Sequence, residues 1–193
     1  MLRRASLCLC ALALALAAGP AHAENLLEGP YPFLRDNELS IHGGYGAGFG
    51  DTFGGPKAFV DYGYKLNRGF WLDLDVGFLS GVCRPRVDNP DCVRTGDTAE
   101  VLVGIKWKLR MNVPVVPYAK LVGGLAYQFP DAVRSAAGPM LRAGLGATYF
   151  FYEWIGVGAE VTASAGRAGY QDGATLSRAL GGLDATLGAE VQF

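Results

Sequence analysis

Twelve charged residues share one parity along a series of alternating segments: Asp61, Lys65, Asp73, Asp75, Glu100, Lys106, Lys108, Lys120, Arg142, Glu160, Asp184 and Glu190. Seven are acids and five are bases, so the set nearly balances. Gathered on one side of a fold, it supports two chemistries. One is a closed network of ion pairs and hydrogen bonds. The other is a narrow path along which ions move between charged groups. Asp61, Asp73 and Asp75 are expected close together if a tight turn at Asn67-Arg68 sets their register, with Lys106 and Lys108 as natural partners. His42 is the one histidine beyond the first 23 residues. Ser40 shares its side only two residues away, which does not make the base–nucleophile arrangement of covalent catalysis. His42 therefore reads as a member of a buried polar network. No catalytic set, cofactor site or metal site is read from the sequence.

The elements that must position these charges show themselves by a period of two. Alternation runs through 39–49, 58–66, 70–78, 100–109, 117–127, 141–151, 155–163 and 183–193. In the third segment Phe70, Leu72, Leu74, Val76 and Phe78 alternate with Trp71, Asp73, Asp75 and Gly77. Period two is the mark of a strand with two unlike faces. Segments of 9 to 11 residues exceed ordinary globular strands and match the ~9–11 that a tilted strand needs to cross a bilayer. The connections alternate in length. Long ones fall near 50–56, 80–98, 128–138 and 166–180, and the last of these reads as a flexible glycine-rich loop up to Gly182. Short ones fall near 67–68, 110–114 and 152–154.

The polarity of the faces decides what kind of barrel this is. One face carries no charge along any segment, and the other carries all twelve charges. A soluble exported barrel with a lipid in its core would need a polar outside and a charge-free inside. An apolar face turned to lipid and a charged face turned to a lumen is the economical arrangement. Aromatics on the apolar face agree. Tyr64, Phe70, Trp107, Tyr149, Phe151 and Phe193 fall near the short-turn ends, and Phe49, Phe78 and Tyr127 near the long-loop ends. Two aromatic girdles around an aliphatic belt match a bilayer. Parity also sets an expectation: a charge at lipid-facing Leu145 opposes insertion, and the same charge at lumen-facing Gly146 is better tolerated if space allows.

Composition narrows the field further. The 193 residues are 50% hydrophobic and 18% charged, with 28 glycines, 10 prolines and a formal net charge of −1. That excludes disorder, and it leaves no basic field for nucleic acid. Residues 1–23 read as a secretory signal peptide: Arg3 and Arg4, an apolar run from Leu7 to Ala18, and a cleavage pattern at Ala21-His22-Ala23. Residues 24–37 read as a short N-terminal arm, either periplasmic or folded into the lumen, and 38–193 as the barrel. Two cysteines remain after cleavage, Cys83 and Cys92, and favour one disulfide in the second long loop. It is expected to add stiffness worth ~2–3 kcal/mol.

The final residues, Thr186 to Phe193, place a polar residue (Thr186), a glycine (Gly188), a hydrophobe (Val191) and a terminal aromatic (Phe193) at fixed intervals. Together with the alternation, this tail resembles the barrel-assembly signal of the small eight-stranded outer-membrane proteins of Gram-negative bacteria, the OmpA- and OmpX-type barrels. The resemblance covers about residues 37–193. It implies an all-β, eight-stranded antiparallel transmembrane barrel with short periplasmic turns and longer extracellular loops. It implies outer-membrane lipid and the outer-membrane barrel-assembly machinery as partners, with envelope proteins as further candidates. The expected function is a non-enzymatic structural or interaction component of the envelope. A narrow pore for ions or small solutes is the alternative, and a lipid-modifying enzyme stands third.

Overall fold

The computed structural model describes residues 35–49, 54–67, 69–81, 97–109, 113–129, 135–170 and 177–193. Eight strands follow in chain order: β1 (Asn37–Gly48), β2 (Gly55–Lys65), β3 (Phe70–Leu79), β4 (Asp97–Lys108), β5 (Val115–Phe129), β6 (Ala136–Tyr152), β7 (Ile155–Tyr170) and β8 (Ser177–Gln192). Each pairs antiparallel with its neighbour, and β8 returns to β1, closing the barrel. Closure leaves no strand edge, as a membrane interior without water demands. The seam is sealed to its end: the Asn37 N–H donates to the Phe193 carbonyl at 3.1 Å, and the Phe193 N–H donates to the Asn37 carbonyl at 3.0 Å.

The register is strongly staggered. Followed from partner to partner, Glu38 leads through Gly63, Asp73, Gly104, Val122, Arg142, Ser164 and Gly182 to Gly48. One circuit thus returns to β1 ten residues from its start. With a ~3.3 Å rise per residue and ~4.8 Å between strands, that shear tilts the strands by about 40°. The turn at 66–69 fixes the β2–β3 register. The Leu66 N–H donates to the Phe70 carbonyl at 2.9 Å, and Gly69 takes φ +99, a conformation most side chains would strain. The barrel is also uneven in height: β5–β8 run 15, 17, 16 and 16 residues, against 12, 11, 10 and 12 for β1–β4.

The burial pattern inverts that of a soluble protein. In β3, Trp71, Asp73 and Asp75 are fully buried, while Phe70, Leu72, Leu74, Val76 and Phe78 are exposed. The exposed belt carries Leu121, Val161 and Leu187 at mid-height. Tyr64, Phe70, Trp107, Tyr149, Phe151 and Phe193 are exposed toward the turns, and Phe49 and Phe78 toward the loops. Such a surface has no stable home in water.

Three expectations need correction. The fourth long connection does not run from Gly166 to Gly182. β7 continues to Tyr170 and β8 begins at Ser177, because Gly166, Gly169 and their neighbours pair with β6 and β8 despite a loop-like composition. Lys65 does not join the lumen set. It sits at the rim and pairs with Asp36 at 3.1 Å, because β2 ends there. Gly146 has no room for a charge, since a Cβ there would meet the Tyr118 ring and the Ala159 carbonyl. The leader, most of the arm, Cys83 and Cys92 lie outside the described residues.

The lipid-facing assignment yields a measurable cost. Leu187, 70% exposed, projects from the middle of β8. Leu187→Arg should lower the folding free energy in lipid vesicles by about 2–4 kcal/mol, read from equilibrium denaturant titration. A loss below about 0.5 kcal/mol, the scale of a neutral surface change, would contradict the assignment.

Candidate functional site: a tiered charge network in the lumen

The strands' inner faces deliver the charges to one enclosed space, and the stagger sorts them by height. At the turn end, Lys108 from β4 reaches across to Glu38 of β1 and to Glu190 of β8, the latter at 2.6 Å. Glu190 also accepts from Thr148 Oγ1 at 2.9 Å and from Gln192 Nε2 at 2.8 Å. The Lys108 ammonium lies 5.0 Å from the ring of buried Trp71, within cation–π range. Just before β1, the Arg35 N–H donates to Gln192 Oε1 at 3.2 Å.

In the middle, two lysines serve four acids. Lys106 contacts Asp73 at 2.8 Å and Asp61 at 3.7 Å, and leans to Glu38 at 3.0 Å. Lys120 contacts Glu160 at 2.9 Å, Asp75 at 3.0 Å and Asp61 at 3.3 Å. Tyr118 donates its hydroxyl to Glu160 at 2.8 Å. His42 stacks on Phe59, with centroids 4.6 Å apart and planes 5° from parallel, and its Nε2 lies 3.8 Å from Asp61. That packing covers one face of the imidazole ring.

Toward the loops, Arg142 pairs with Glu100 through Nη2 and approaches Asp75 at 3.5 Å. Lys57 joins Glu100 at 3.0 Å to Asp184 at 2.5 Å, and Thr162 donates to Asp184 at 3.0 Å. Beside this tier, on the taller wall, Leu102, Val122, Ala126, Ala136, Met140, Ala168 and Leu180 form an apolar cluster facing inward. A recess lined by Lys57, Glu100, Met140, Ser164 and Asp184 measures about 20 Å³, room for about one water.

The sequence placed Asp61, Asp73, Asp75, Glu100, Lys106, Lys108, Lys120, Arg142 and Glu160 on one face, and all nine are buried inside the barrel. The three aspartates do come together, each offering an oxygen within 4.8 Å of the others. Lys106 partners them. Lys108 does not: it serves Glu38 and Glu190 instead, and Lys120 takes its expected place. Glu38 and Lys57 were missed, although they have the lumen parity, because each lies just outside the alternating segment as read. Of the C-terminal tail, Thr186 is buried and its hydroxyl lies 3.5 Å from the Glu160 carbonyl. Gly188 sits against the Ile41 carbonyl and the His42 ring, where a Cβ would collide. Val191 pairs with Leu39 and Ile155, and Phe193 closes the seam.

No family model matches the chain, and no curated protein matches it significantly in sequence. Solved structures do match. Neisserial surface protein A superposes with a TM-score of 0.65 at 13% identity, over 82% of this chain and 97% of that one. The outer membrane protein OprG of Pseudomonas aeruginosa gives 0.51 at 10% identity, over 82% and 97%. The N-terminal β-barrel domain of P. aeruginosa OprF gives 0.50 at 19% identity, over 82% and 98%. The likeness is one of fold. This chain is an all-β, closed, eight-stranded antiparallel barrel of the small outer-membrane type.

Breaking a buried pair strands its partners in a place water does not reach. Lys108→Met leaves Glu38 and Glu190 without their shared cation and should cost about 3–5 kcal/mol of folding free energy. Lys65→Met removes a partly exposed rim pair with Asp36 and should cost less than about 1 kcal/mol. Denaturant titration of both variants in the same vesicles compares them, and equal costs would contradict the lumen geometry.

Proposed function

We propose that this chain is an integral component of the Gram-negative outer membrane that works as a closed, non-enzymatic scaffold. Its termini and three of its turns face the periplasm, and its other four connections, the longest of them 80–96, face outward. Interaction, through those loops or through docked envelope proteins, is its work. The observation that supports this reading is the filled lumen: ion pairs join strands that are not neighbours at three heights, and an apolar cluster packs beside the outermost. A passage would have to break buried ion pairs, and each broken pair leaves a charge without its partner. Insertion by the barrel-assembly machinery, with Thr186, Gly188, Val191 and Phe193 as its signal, belongs to the same proposal. In the folded barrel these residues lie on the closing strand β8 and at its end.

One observation favours a second reading, a narrow pore for ions or small solutes: the lining is charged from end to end, and a water-sized recess opens among Lys57, Glu100 and Asp184. Single-channel recording of the refolded barrel in a planar bilayer separates the two. The scaffold is expected to be electrically silent. Reproducible steps that change with Lys120→Met or Glu160→Gln would make it a channel with those groups in its path.

A further inference from the structure

Among the described residues, eight buried carboxylates share the lumen with five buried lysine and arginine side chains. Of the three surplus acids, one belongs to the turn end, where Lys108 faces Glu38 and Glu190, and two belong to the middle. The tier near the loops is balanced, with Lys57 and Arg142 against Glu100 and Asp184. The middle tier is not: Lys106 and Lys120 face Asp61, Asp73, Asp75 and Glu160. Like charges directly opposite on neighbouring strands repel, and Asp61 and Asp75 are direct register partners on β2 and β3, both with no exposure. Lys106 also leans away toward Glu38, which deepens the local deficit.

The contacts of the two aspartates are one-sided. Asp61 Oδ2 takes Lys106 and Lys120, and Asp75 Oδ2 takes Lys120 and Arg142. Asp61 Oδ1, both oxygens of Asp75 and both oxygens of Asp73 are buried without a hydrogen bond, and of the three aspartates Asp61 and Asp75 are the two that stand directly opposite each other in the β2–β3 register. Three sources could supply the missing positive charge. A metal ion among the three aspartates would compete with ammonium groups that already stand 2.8 to 3.3 Å from their oxygens. His42 of β1 lies 3.8 Å from Asp61, beyond a hydrogen bond, and the Phe59 ring on which it stacks has the Lys120 ammonium 4.8 Å from its centroid. A proton needs no extra room and converts one acceptor-only oxygen into a donor.

We propose that Asp61 and Asp75 share one proton, forming a carboxylic acid–carboxylate pair at the centre of the lumen. The acid's O–H donates to the neighbouring carboxylate, as two carboxylates in one site require. The remaining faces of the pair are set by Lys106 on β4, Lys120 on β5, Arg142 on β6 and Glu160 on β7, with Glu190 of β8 in the tier below. The barrel centre is then a proton-binding site whose charge changes by one unit when the proton leaves. This holds whether or not the lumen conducts.

Infrared spectroscopy of the refolded protein in lipid tests the proposal. At neutral pH, where free carboxyls are ionised, the wild type should show a carboxylic acid carbonyl band that shifts on exchange into heavy water. The band should be lost in Asp61→Asn and in Asp75→Asn, and retained in Asp73→Asn. If those variants fail to fold, wild-type protein labelled with heavy carbon in its aspartate carboxyls supplies the reading by itself, because the band must move with that label and stay put with labelled glutamate. No carboxylic acid band in the wild type overturns the proposal. So does a band that follows the glutamate label, or one that survives both Asp61→Asn and Asp75→Asn.

Discussion

The bilayer core offers no water to a peptide group, and the rest of the molecule follows from that. Each N–H and C=O must find its partner inside the fold, so the sheet has to close on itself. Closure gives every strand an outward face in lipid and an inward face in a lumen, and charge is tolerated only on the second. Eight strands make that lumen narrow enough for side chains to fill. Among the described residues, eight acids and five lysine and arginine side chains are thus confined to a space where each must be close to others. The network is the consequence of placing many charges inside a small barrel, and the barrel is the consequence of placing a sheet in lipid.

The network's value lies more in specificity than in net stability. Desolvating an ion pair costs roughly what its attraction returns, so buried pairs are weak evidence for a deep free-energy minimum. They are better evidence for a defined register. Lys108 joins β4 to β1 and β8, and Lys120 joins β5 to β2, β3 and β7. These are links between strands that are not hydrogen-bonded neighbours. A one-residue slip in any strand would turn its charges toward lipid. The correct register is the one in which every charge is inside and near an opposite one.

Parity was legible in the sequence because it needs only local information. Alternating Asp73, Asp75 and Leu72, Leu74, Val76 name their faces without reference to any other strand. Height was not legible. It depends on the stagger accumulated around the closed sheet, and that is why Lys108 meets Glu38 and Glu190 while Lys120 meets the aspartates. Asp61, Asp73 and Asp75 were the exception, since one tight turn sets their relative height. Strand ends were misread where contrast fades. Gly166, Ala168 and Gly169 carry little hydropathic difference between faces, yet backbone pairing holds them in β7. The same cause hid Leu180, whose inward direction was invisible while its segment was read as loop, and Met140, which fell just before the sixth alternating segment as read.

The apolar cluster bears on how the two functional readings differ. A lumen built only to conduct has no use for Leu102, Val122, Met140 and Leu180 on its inner wall, since apolar constrictions exclude ions by shedding water. A lumen built only as a packed core has less need of so many charges, because well-packed apolar residues stabilise as well or better. The two linings overlap around the barrel: the cluster comes from β4 through β8, while the buried acids and their cations come from every strand. They therefore act side by side as well as in sequence. Weakening the ion pairs leaves the apolar cluster in place. Opening a continuous wet path means displacing both, and the scaffold reading rests on that double requirement.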